Sequence, residues 1–527
     1  MKEGILPFFK WSSNLEQKGL LKIGGSLLLR NTCLNFLGQV LPGLAGLTAT
    51  PFLIRGLGLE AFGIFSLALV VLGYLGLFDL GLGAATTKYV AESMATGDRQ
   101  RLTSLVWTSM AVQLSLGAVT GMALACSVPY LTEKVFRIPP PMSPDVRTAF
   151  YLLAASLPIV LGASCLRGVL EASQRFDLVN MVKAPAAVST FLLPVVGVMC
   201  GLGIVGIIVL LILSRLGAFL WYWMLCVRCF PSLTRGRFCD VSSLQSLFTY
   251  GFWTTISNVV GPLFHYLDRV FIGALLSVTA LTYYTGPQQF LNGVWIIPAS
   301  LTTTIFPAFS SLNASSRRET IARVYALSLK TILLTVGPVV VLAVFLARAI
   351  LRLWLGAEFA EQSTLVLQIL LWGALVNSLA LCPHALLRGL GRPDLTAKFH
   401  LVELPIFVGL LWISVKRWGI VGVALSWTLW VCLNAALLFA ACFLLHLVPA
   451  RALAKNGLIR SVTFLFSLAF ALSLIGWVQA GMAIRFLLGG SLVALFGWMA
   501  WCHALEPGDR NILKAEAHAL AAALRQP

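Results

Sequence analysis

The sequence predicts an all-α polytopic membrane protein with fourteen transmembrane helices. Of the 527 residues, 58% are hydrophobic and only 11% are charged, and the mean hydropathy is +0.89. In soluble domains about a quarter of the residues are charged, so this chain has too few polar groups to cover the surface of a soluble protein. The apolar residues fall into runs of roughly 20–28 residues, each long enough to cross a hydrocarbon core of about 30 Å as a helix.

Fourteen apolar runs follow one another along the chain. They lie at 30–54, 61–85, 103–128, 147–171, 181–201, 203–228, 246–273, 281–308, 324–348, 364–387, 396–416, 419–446, 458–480 and 483–503. With this division, most of the 38 Lys and Arg residues fall on the side that holds both termini. Cytoplasmic loops carry such an excess of basic residues, so we expect both termini in the cytoplasm.

Short segments of the chain recur in the same order roughly 217 residues apart, which indicates an internal duplication. Residues 166–170, 175–178 and 203–206 resemble 387–390, 392–395 and 419–422. Each unit has six spans, an even number, so both units enter the membrane from the same side. The sequence therefore predicts two six-helix lobes related by a pseudo-twofold axis along the membrane normal, with a substrate path between them.

The predicted organisation has six parts. They are a cytoplasmic N-terminal segment 1–29, an N-lobe 30–228, a cytoplasmic linker 229–245, a C-lobe 246–446, two further spans within 458–503 and a cytoplasmic tail 504–527. The loops between spans are too short to fold as separate domains.

Charge and motif content exclude several functions. The net charge of +18 is explained by loops beside the membrane, where basic residues set topology and contact anionic headgroups, so we expect no nucleic-acid partner. The eleven cysteines show no Cys-x-x-Cys pair and no Cys/His spacing typical of a metal site. No phosphate-binding glycine loop and no catalytic constellation is present. We therefore expect a transport protein without cofactor or metal rather than an enzyme.

Several motifs resemble those of the bacterial polysaccharide and O-antigen flippases, within the multidrug/oligosaccharidyl-lipid/polysaccharide exporter superfamily. The motifs are Phe52 to Ser66, Asp79 to Gly83, Lys88 to Glu92, Leu267 to Gly273, Tyr283-Tyr284, Trp354 to Phe359 and Leu387 to Pro393. The resemblance covers the first twelve spans, and fourteen spans is a common size in that family.

This resemblance implies that the chain moves an undecaprenyl-diphosphate-linked oligosaccharide across the bacterial inner membrane by alternating access between the two lobes. It also implies membrane lipids as neighbours and a glycan polymerase and glycosyltransferases as partners. Two alternatives remain. One is a cation-coupled exporter of small amphipathic compounds on the same scaffold, and the other is a non-transporting scaffold for glycan-assembly enzymes.

Arg215 is the first candidate for binding the diphosphate. It lies about twelve residues, or ~18 Å, into its span, too deep to reach either interface easily. An Arg at this depth costs roughly 2.5–3.5 kcal/mol on insertion scales, so we expect a partner or a water-filled cavity around it. A guanidinium can grip phosphate oxygens with two parallel hydrogen bonds. The alternative is a hydrogen bond between helices that only orders the lobe.

A second candidate group is His265, Asp268 and Arg269, near the predicted outer end of span 7. Their spacing places them on one helix face, where they form either a proton- or cation-responsive site or an ion-paired helix end. In span 11, His400 and Glu403 share a face and form either a protonatable pair or a capped helix start.

Three further arginines lie near predicted membrane ends. Arg30 begins the first span, and the repeated Arg167 and Arg388 end spans 4 and 10. They either draw in the diphosphate from the cytoplasmic leaflet or act as anchors. In the anchor interpretation, Arg167 and Arg388 pair with Asp177 and Asp394.

Tryptophans near span ends are expected to form interfacial belts rather than platforms for stacking sugars. They are Trp107, Trp221, Trp223, Trp253 and Trp295.

Overall fold

The structure, a computed structural model, describes residues 24–75, 82–136, 138–173, 175–234, 260–261, 263–314, 318–445, 447, 458–477, 482–500 and 502. These residues form α-helices joined by short turns, and none of them lies in a β-strand. The first half contains α1 Gly24–Leu57, α2 Leu59–Leu75, α3 Leu82–Thr96, α4 Arg99–Tyr130, α5 Ser143–Ala172, α6 Phe176–Met199 and α7 Ile204–Cys229.

The second half continues the helical pattern. It contains α8, described at 260–261 and 263–275, α9 Val278–Ala314, α10 Arg318–Trp354, α11 Ala357–Gly389, α12 Pro393–Leu444, α13 Leu458–Trp477 and α14 Met482–Met499. Each of the fourteen predicted spans contains helical residues, although residues 246–259 of the seventh lie outside the described part. The all-helical fold is confirmed, and the count of fourteen spans stays a prediction.

Helix α12 is a hairpin of two arms that meet at Gly419. This glycine has φ 58° and ψ −136°, a backbone conformation that breaks the helix. The Ser414 and Ser426 hydroxyls lie 2.6 Å apart, whereas twelve residues of straight helix would separate them by about 18 Å. The chain therefore reverses here, and the arms 393–418 and 420–444 correspond to predicted spans 11 and 12.

Length and composition make many of these helices suitable for crossing a membrane. Within the described residues, nine helices are long and apolar enough to do so, and Leu59–Gly73 and Ile484–Met499 form shorter apolar helices. Most of these helices expose large apolar side chains on one face, such as Leu213 at 55% and Phe466 at 72%. In a chain with few charges, such faces are lipid-facing surfaces. The protein is a multi-pass membrane protein.

The helices form two packed groups. In the N-lobe, α5 packs against α4 and α7, and α6 packs against α1 and α7. In the C-lobe, α11 packs against α9, α10 and α12, while α13 and α14 lie against α10. The domain boundaries given above stay predictions.

The two lobes meet along α1 and α2 of the N-lobe and α8 and α9 of the C-lobe. The Thr282 hydroxyl donates to the Leu59 carbonyl at 2.6 Å, and the Ser66 and Thr285 hydroxyls lie 3.3 Å apart. A Cβ atom built on Gly63 would lie only 2.0 Å from the Val278 carbonyl oxygen. Main-chain atoms of α2 and α9 therefore touch directly, and these contacts lie at the end of the lobes that the sequence predicts to be outer.

One expected loop is largely helical. Residues 129–146 were predicted to connect spans 3 and 4, but α4 continues to Tyr130, a π-helical turn follows at Leu131–Val135, and α5 begins at Ser143. Continued helix keeps the backbone groups paired beyond the hydrocarbon core, and the Phe136 N–H still donates to the Leu131 carbonyl at 2.8 Å.

Candidate functional site

Arg215 lies on the buried side of α7 and reaches toward α6. Its Nη2 donates to the Thr190 hydroxyl at 3.0 Å, and the neighbouring Ser189 and Ser214 hydroxyls lie 2.6 Å apart. The Arg215 side chain is half-buried. Within the described part of the chain, its bonded partner is a neutral hydroxyl, so the guanidinium keeps donors available for an anion.

Lys183 extends this basic surface along α6. It precedes Thr190 by seven residues, or two helical turns, so both residues share a face of α6. Its side chain is exposed. The sequence analysis did not single out Lys183, although its position two turns from the partner of Arg215 follows from helical spacing once that partner is known.

Asp268 is fully buried in the C-lobe and is held by neutral donors. Its carboxylate accepts hydrogen bonds from the Tyr284 hydroxyl at 2.8 Å, from Gln288 Nε2 at 3.4 Å and from the Arg269 N–H at 2.7 Å. The Arg269 Nε donates to Gln288 Oε1 at 3.0 Å. Gln288 thus bridges the acid and the base.

Helix α8 continues to residue 275, so Asp268 lies about 10 Å before its end, and the role of the group stays a prediction. The contacts through Gln288 also replace the direct ion pair of the helix-end interpretation. Tyr284 and Gln288 could have been found by their spacing of four on α9, but only the fold brings them to α8.

Glu403 forms the second buried carboxylate of the C-lobe. Its oxygens accept from Trp430 Nε1 at 3.0 Å and from Asn434 Nδ2 at 2.9 and 3.1 Å. His400 Nδ1 lies 3.2 Å from Glu403 Oε2. His400 and Glu403 are therefore in contact, as their spacing predicts, while a coupling role stays a prediction. The sequence did not reveal Trp430 or Asn434, which come from the second arm of α12.

Aromatic rings connect the two carboxylate groups. Phe264 stacks on Trp430 with ring centroids 4.2 Å apart and an interplanar angle of 7°. His265 meets the edges of Trp430 and Trp295 at 6.1 and 5.6 Å. The structure therefore brings His265, Asp268 and Arg269 together with His400 and Glu403 in one polar and aromatic cluster of the C-lobe.

Trp295 does not belong to an interfacial belt. It lies in the middle of α9, inside the C-lobe, and its ring centroid lies 5.9 Å from that of Trp427. By contrast, Trp107 lies near the start of α4, where its Nε1 donates to the Leu233 carbonyl at 3.1 Å. Its ring packs against that of Trp223, near the end of α7. The prediction for Trp295 was wrong because neither helical spacing nor position within a span reveals which face of a helix packs against a neighbouring helix.

The anchor pairing predicted for Arg167 is also wrong. Arg167 Nε lies 3.5 Å from Glu171 on the next turn of α5, and Asp177 is held by Arg175 at 2.9 Å. Arg388 is exposed at the end of α11, and the side chain of Arg30 lies outside the described part. The structure therefore leaves the roles of Arg30, Arg167 and Arg388 as predictions.

An Arg–Asp ion pair of the same spacing lies at the start of the helical hairpin α6–α7 in the N-lobe and at the start of α12 in the C-lobe. Both pairs lie outside the membrane-spanning segments. The Arg175 guanidinium donates to Asp177, which lowers the pKa of that carboxyl and raises the pKa of Arg175. Arg392 donates to Asp394 at 3.1 Å and lowers its pKa in the same way. Among the described residues, no group of three or more His, Cys, Asp or Glu could hold a metal ion.

The sequence and the fold agree on the class of protein. The profile of the family described as "Polysaccharide biosynthesis protein" matches residues 28–313, and the MatE profile matches residues 254–413. The first match spans more than half of the chain, so the protein belongs to the polysaccharide biosynthesis protein family, within the multidrug/oligosaccharidyl-lipid/polysaccharide exporter superfamily.

Two relatives carry names that describe transport. The putative O-antigen transporter of Shigella flexneri is 27% identical over 414 residues, which cover 78% of this chain and 96% of the relative. The probable low-salt glycan biosynthesis flippase of Haloferax volcanii is 25% identical over 393 residues, which cover 73% and 77%. These relatives are transporters rather than enzymes, which confirms the expectation of a transport protein.

Solved structures share the fold. The lipid II flippase MurJ in an inward closed conformation has a TM-score of 0.70 and 14% identity, and the match covers 89% of this chain and 98% of that one. A multidrug resistance MATE family transporter in an inward-facing conformation has a TM-score of 0.65 and 16% identity, over 79% and 96%.

Proposed function

We propose that the protein flips an undecaprenyl-diphosphate-linked oligosaccharide from the cytoplasmic to the outer leaflet of the bacterial inner membrane. The observation that carries this proposal is Arg215, a half-buried guanidinium deep in the membrane region whose bonded partner, in the described part of the chain, is the Thr190 hydroxyl. A cation at this depth costs roughly 2.5–3.5 kcal/mol and is retained at functional sites.

The diphosphate supplies the negative counter-charge that Arg215 lacks among its described partners. It carries about two negative charges, and an Arg fork binds such oxygens with charge-assisted hydrogen bonds. Lys183, exposed two turns along α6, extends the attraction toward the predicted cytoplasmic end. The diphosphate moves along this surface while the lipid tail stays in the bilayer and the glycan crosses between the lobes.

The contacts between the lobes support alternating access. The described bonds of Thr282 with Leu59 and of Ser66 with Thr285 close the predicted outer end. Breaking these contacts and closing the opposite end moves the path from one side of the membrane to the other. Glycosyltransferases would then act before the flipping step, and a glycan polymerase would act after it.

A variant series of Arg215 tests the proposal. In proteoliposomes that contain a fluorescent lipid-diphosphate oligosaccharide, Arg215→Ala should slow flipping by about 10–100-fold, because a charge-assisted contact of about 1.5–3 kcal/mol is lost. Arg215→Lys should restore only part of the rate, since a point charge replaces a planar fork. The matched control is Arg417→Ala, at an exposed arginine beside the turn of α12.

Protein abundance and thermal stability separate the possible outcomes. Arg215→Ala should remain as abundant as wild type, because it removes one hydrogen bond and one buried charge. Flipping at the wild-type rate would remove Arg215 from the path, and a loss of folded protein together with transport would assign it an ordering role instead.

A second experiment tests the orientation. On a cysteine-free background, a membrane-impermeant thiol reagent applied to spheroplasts should label Ser143→Cys, at the start of α5, but not Thr96→Cys, at the end of α3. Labelling of Thr96→Cys alone would reverse the proposed topology.

The alternative function is cation-coupled export of small amphipathic compounds. The buried carboxylates Asp268 and Glu403 favour it, because a carboxylate inside the membrane is suited to exchanging protons or cations. Both carboxylates are in the C-lobe, and both are saturated by protein donors in this state. Dye efflux from cells that express the protein, without glycan flipping by the purified protein, would favour this alternative. A non-transporting scaffold would show neither activity.

A further inference from the structure

Helix α9 presents a polar face beside the contact between the lobes. Gln289 and Gly293 face α1 of the N-lobe, where Cβ atoms built on Gly46 and Gly293 would meet Gln289 and Leu47 at 1.9 and 2.9 Å. Gln288, Asn292 and Trp295 follow the same spacing, shifted by about one residue, so they form the adjacent face. All three side chains are half-buried.

The polar groups on this face are amides rather than charges. Asn292 Nδ2 donates to Gln289 Oε1 at 3.1 Å, and Gln288 bridges Asp268 and Arg269. An amide can donate and accept hydrogen bonds at the same time, as a sugar hydroxyl can. A row of amides beside the contact between the lobes therefore suits a neutral, hydroxylated ligand.

Two indole N–H groups of the C-lobe have no acceptor among the residues that the structure describes. The Nε1 atoms of Trp295 and Trp427 are buried and make no hydrogen bond within that part of the chain, and their rings lie 5.9 Å apart. A buried donor without an acceptor is unfavourable, and such a group calls for an explanation. A ligand oxygen that reaches the half-buried Trp295 from the space between the lobes supplies the acceptor that its indole N–H lacks.

The charges nearby argue against the diphosphate as that ligand. The Asp268 and Glu403 carboxylates are both buried in the C-lobe and outnumber the one guanidinium of the cluster, Arg269, so the cluster repels a dianion in a medium of low dielectric constant. The described N-lobe surface around Arg215 presents hydroxyl groups instead. The two lobes thus differ in the part of the substrate that they suit.

We propose that Trp295, Asn292 and Gln289, with His265 at the edge of Trp295, form a subsite of the C-lobe for a neutral sugar ring of the glycan. The inference rests on the proposed flipping function and adds a specificity determinant to it. The aromatic ring packs against the apolar face of a sugar, and the amides and the indole N–H bond its hydroxyls.

Two lipids and a matched pair of variants test this subsite. The probes are undecaprenyl diphosphate bearing one N-acetylhexosamine and the same lipid bearing a neutral tetrasaccharide. Trp295→Phe, which keeps a ring but removes the N–H, should raise the KM for the tetrasaccharide lipid by about 5–10-fold, the equivalent of one hydrogen bond. It should change the KM for the single-sugar lipid by less than about twofold. The control is Trp372→Phe, at a tryptophan of the same lobe that is 41% exposed on α11.

Asn292→Leu provides a second variant that does not disturb the aromatic packing, and it should raise the same KM selectively. Unchanged kinetics of both variants for both lipids would overturn the subsite and assign the indole N–H groups to water. An equal loss for both lipids would also overturn it, in favour of a structural role. If wild-type protein flips neither lipid, the proposed function fails first, so the two failures are distinguishable.

Discussion

The helical hairpins α6–α7 of the N-lobe and α12 of the C-lobe are counterparts that carry opposite charges. Each begins with the same ion pair, Arg175 with Asp177 and Arg392 with Asp394. Counting along from the repeated segments 203–206 and 419–422, which are 216 residues apart, places Arg215 opposite Val431. One hairpin thus holds a cation where its copy holds an apolar residue.

The carboxylate shows the reverse pattern. Glu403 in the first arm of α12 corresponds to Ala186 in α6, and its partner Trp430 corresponds to Ser214. In the N-lobe, the small hydroxyls of Ser189 and Ser214 join α6 to α7. In the C-lobe, the Trp430 indole donates to the Glu403 carboxylate and joins the two arms of α12. The duplicated scaffold was kept, and the chemistry between the two helices diverged.

The difference extends to how the charges are satisfied. Glu403 receives donors from Trp430, Asn434 and His400, so its removal leaves several buried groups unpaired. Arg215 has a single described bond to a hydroxyl. A buried group with many partners holds the fold together, whereas one with few partners is available to a ligand.

The largest expected effect comes from preventing the two lobes from separating. The Ser66 and Thr285 hydroxyls lie 3.3 Å apart, close enough for a disulfide in the double variant Ser66→Cys, Thr285→Cys. Oxidation should abolish flipping, and a reductant should restore it. Either single variant, treated with the same oxidant, serves as the control, and full activity of the oxidised double variant would mean that this contact does not open during transport.

The next effect distinguishes the two hairpins by stability. Glu403→Ala should lower the free energy of unfolding by several kcal/mol, at about 1–3 kcal/mol for each buried donor left unpaired. Glu403→Gln keeps an acceptor for Trp430 and should cost much less. Thermal unfolding in detergent measures both, with Glu171→Ala on α5 as the control for a more exposed carboxylate. Equal melting temperatures for Glu403→Ala and wild type would contradict the structural role of the C-lobe carboxylate.

The smallest effect concerns the ion pair that the hairpins share. Because Arg175 lowers the pKa of Asp177, the pair stabilises the fold above the unfolded-state pKa, and this contribution is lost as pH falls through the folded-state pKa. An exposed pair contributes about 0.2–1 kcal/mol. Asp177→Asn should therefore lower the melting temperature slightly at pH 7 and leave it unchanged at pH 2. A difference that persists at pH 2 would assign the effect to something other than the charge.

The fold was predictable because apolar runs and basic loops determine where a chain crosses a membrane. The all-helical architecture follows from these runs, and the α12 hairpin was divided correctly at Trp418 and Gly419, where a polar, glycine-containing turn interrupts the apolar residues. The limits of helices were less accurate, since helices such as α4 continue beyond the hydrocarbon core where no hydropathy signal marks them.

The site was predictable only where one residue is unusual by itself or where two lie on one turn. Arg215 is conspicuous as a charge in an apolar run, and His400 lies one turn from Glu403. The bridge of Gln288 between Asp268 and Arg269 depends on the packing of α8 against α9, which spacing along one helix cannot give. For the same reason, spacing along α9 does not show that the Trp295 ring packs against His265 and Trp427.

The contact of Gly63 with the Val278 carbonyl bears on the membrane potential that the cell maintains. Moving one elementary charge down a potential of 100 mV releases about 2.3 kcal/mol, so a path wide enough for a glycan would dissipate that potential if protons or ions could pass along it. Main-chain atoms in direct contact leave no room for a chain of water molecules at this point. We infer that this closure insulates the membrane electrically while the path is open to the other side.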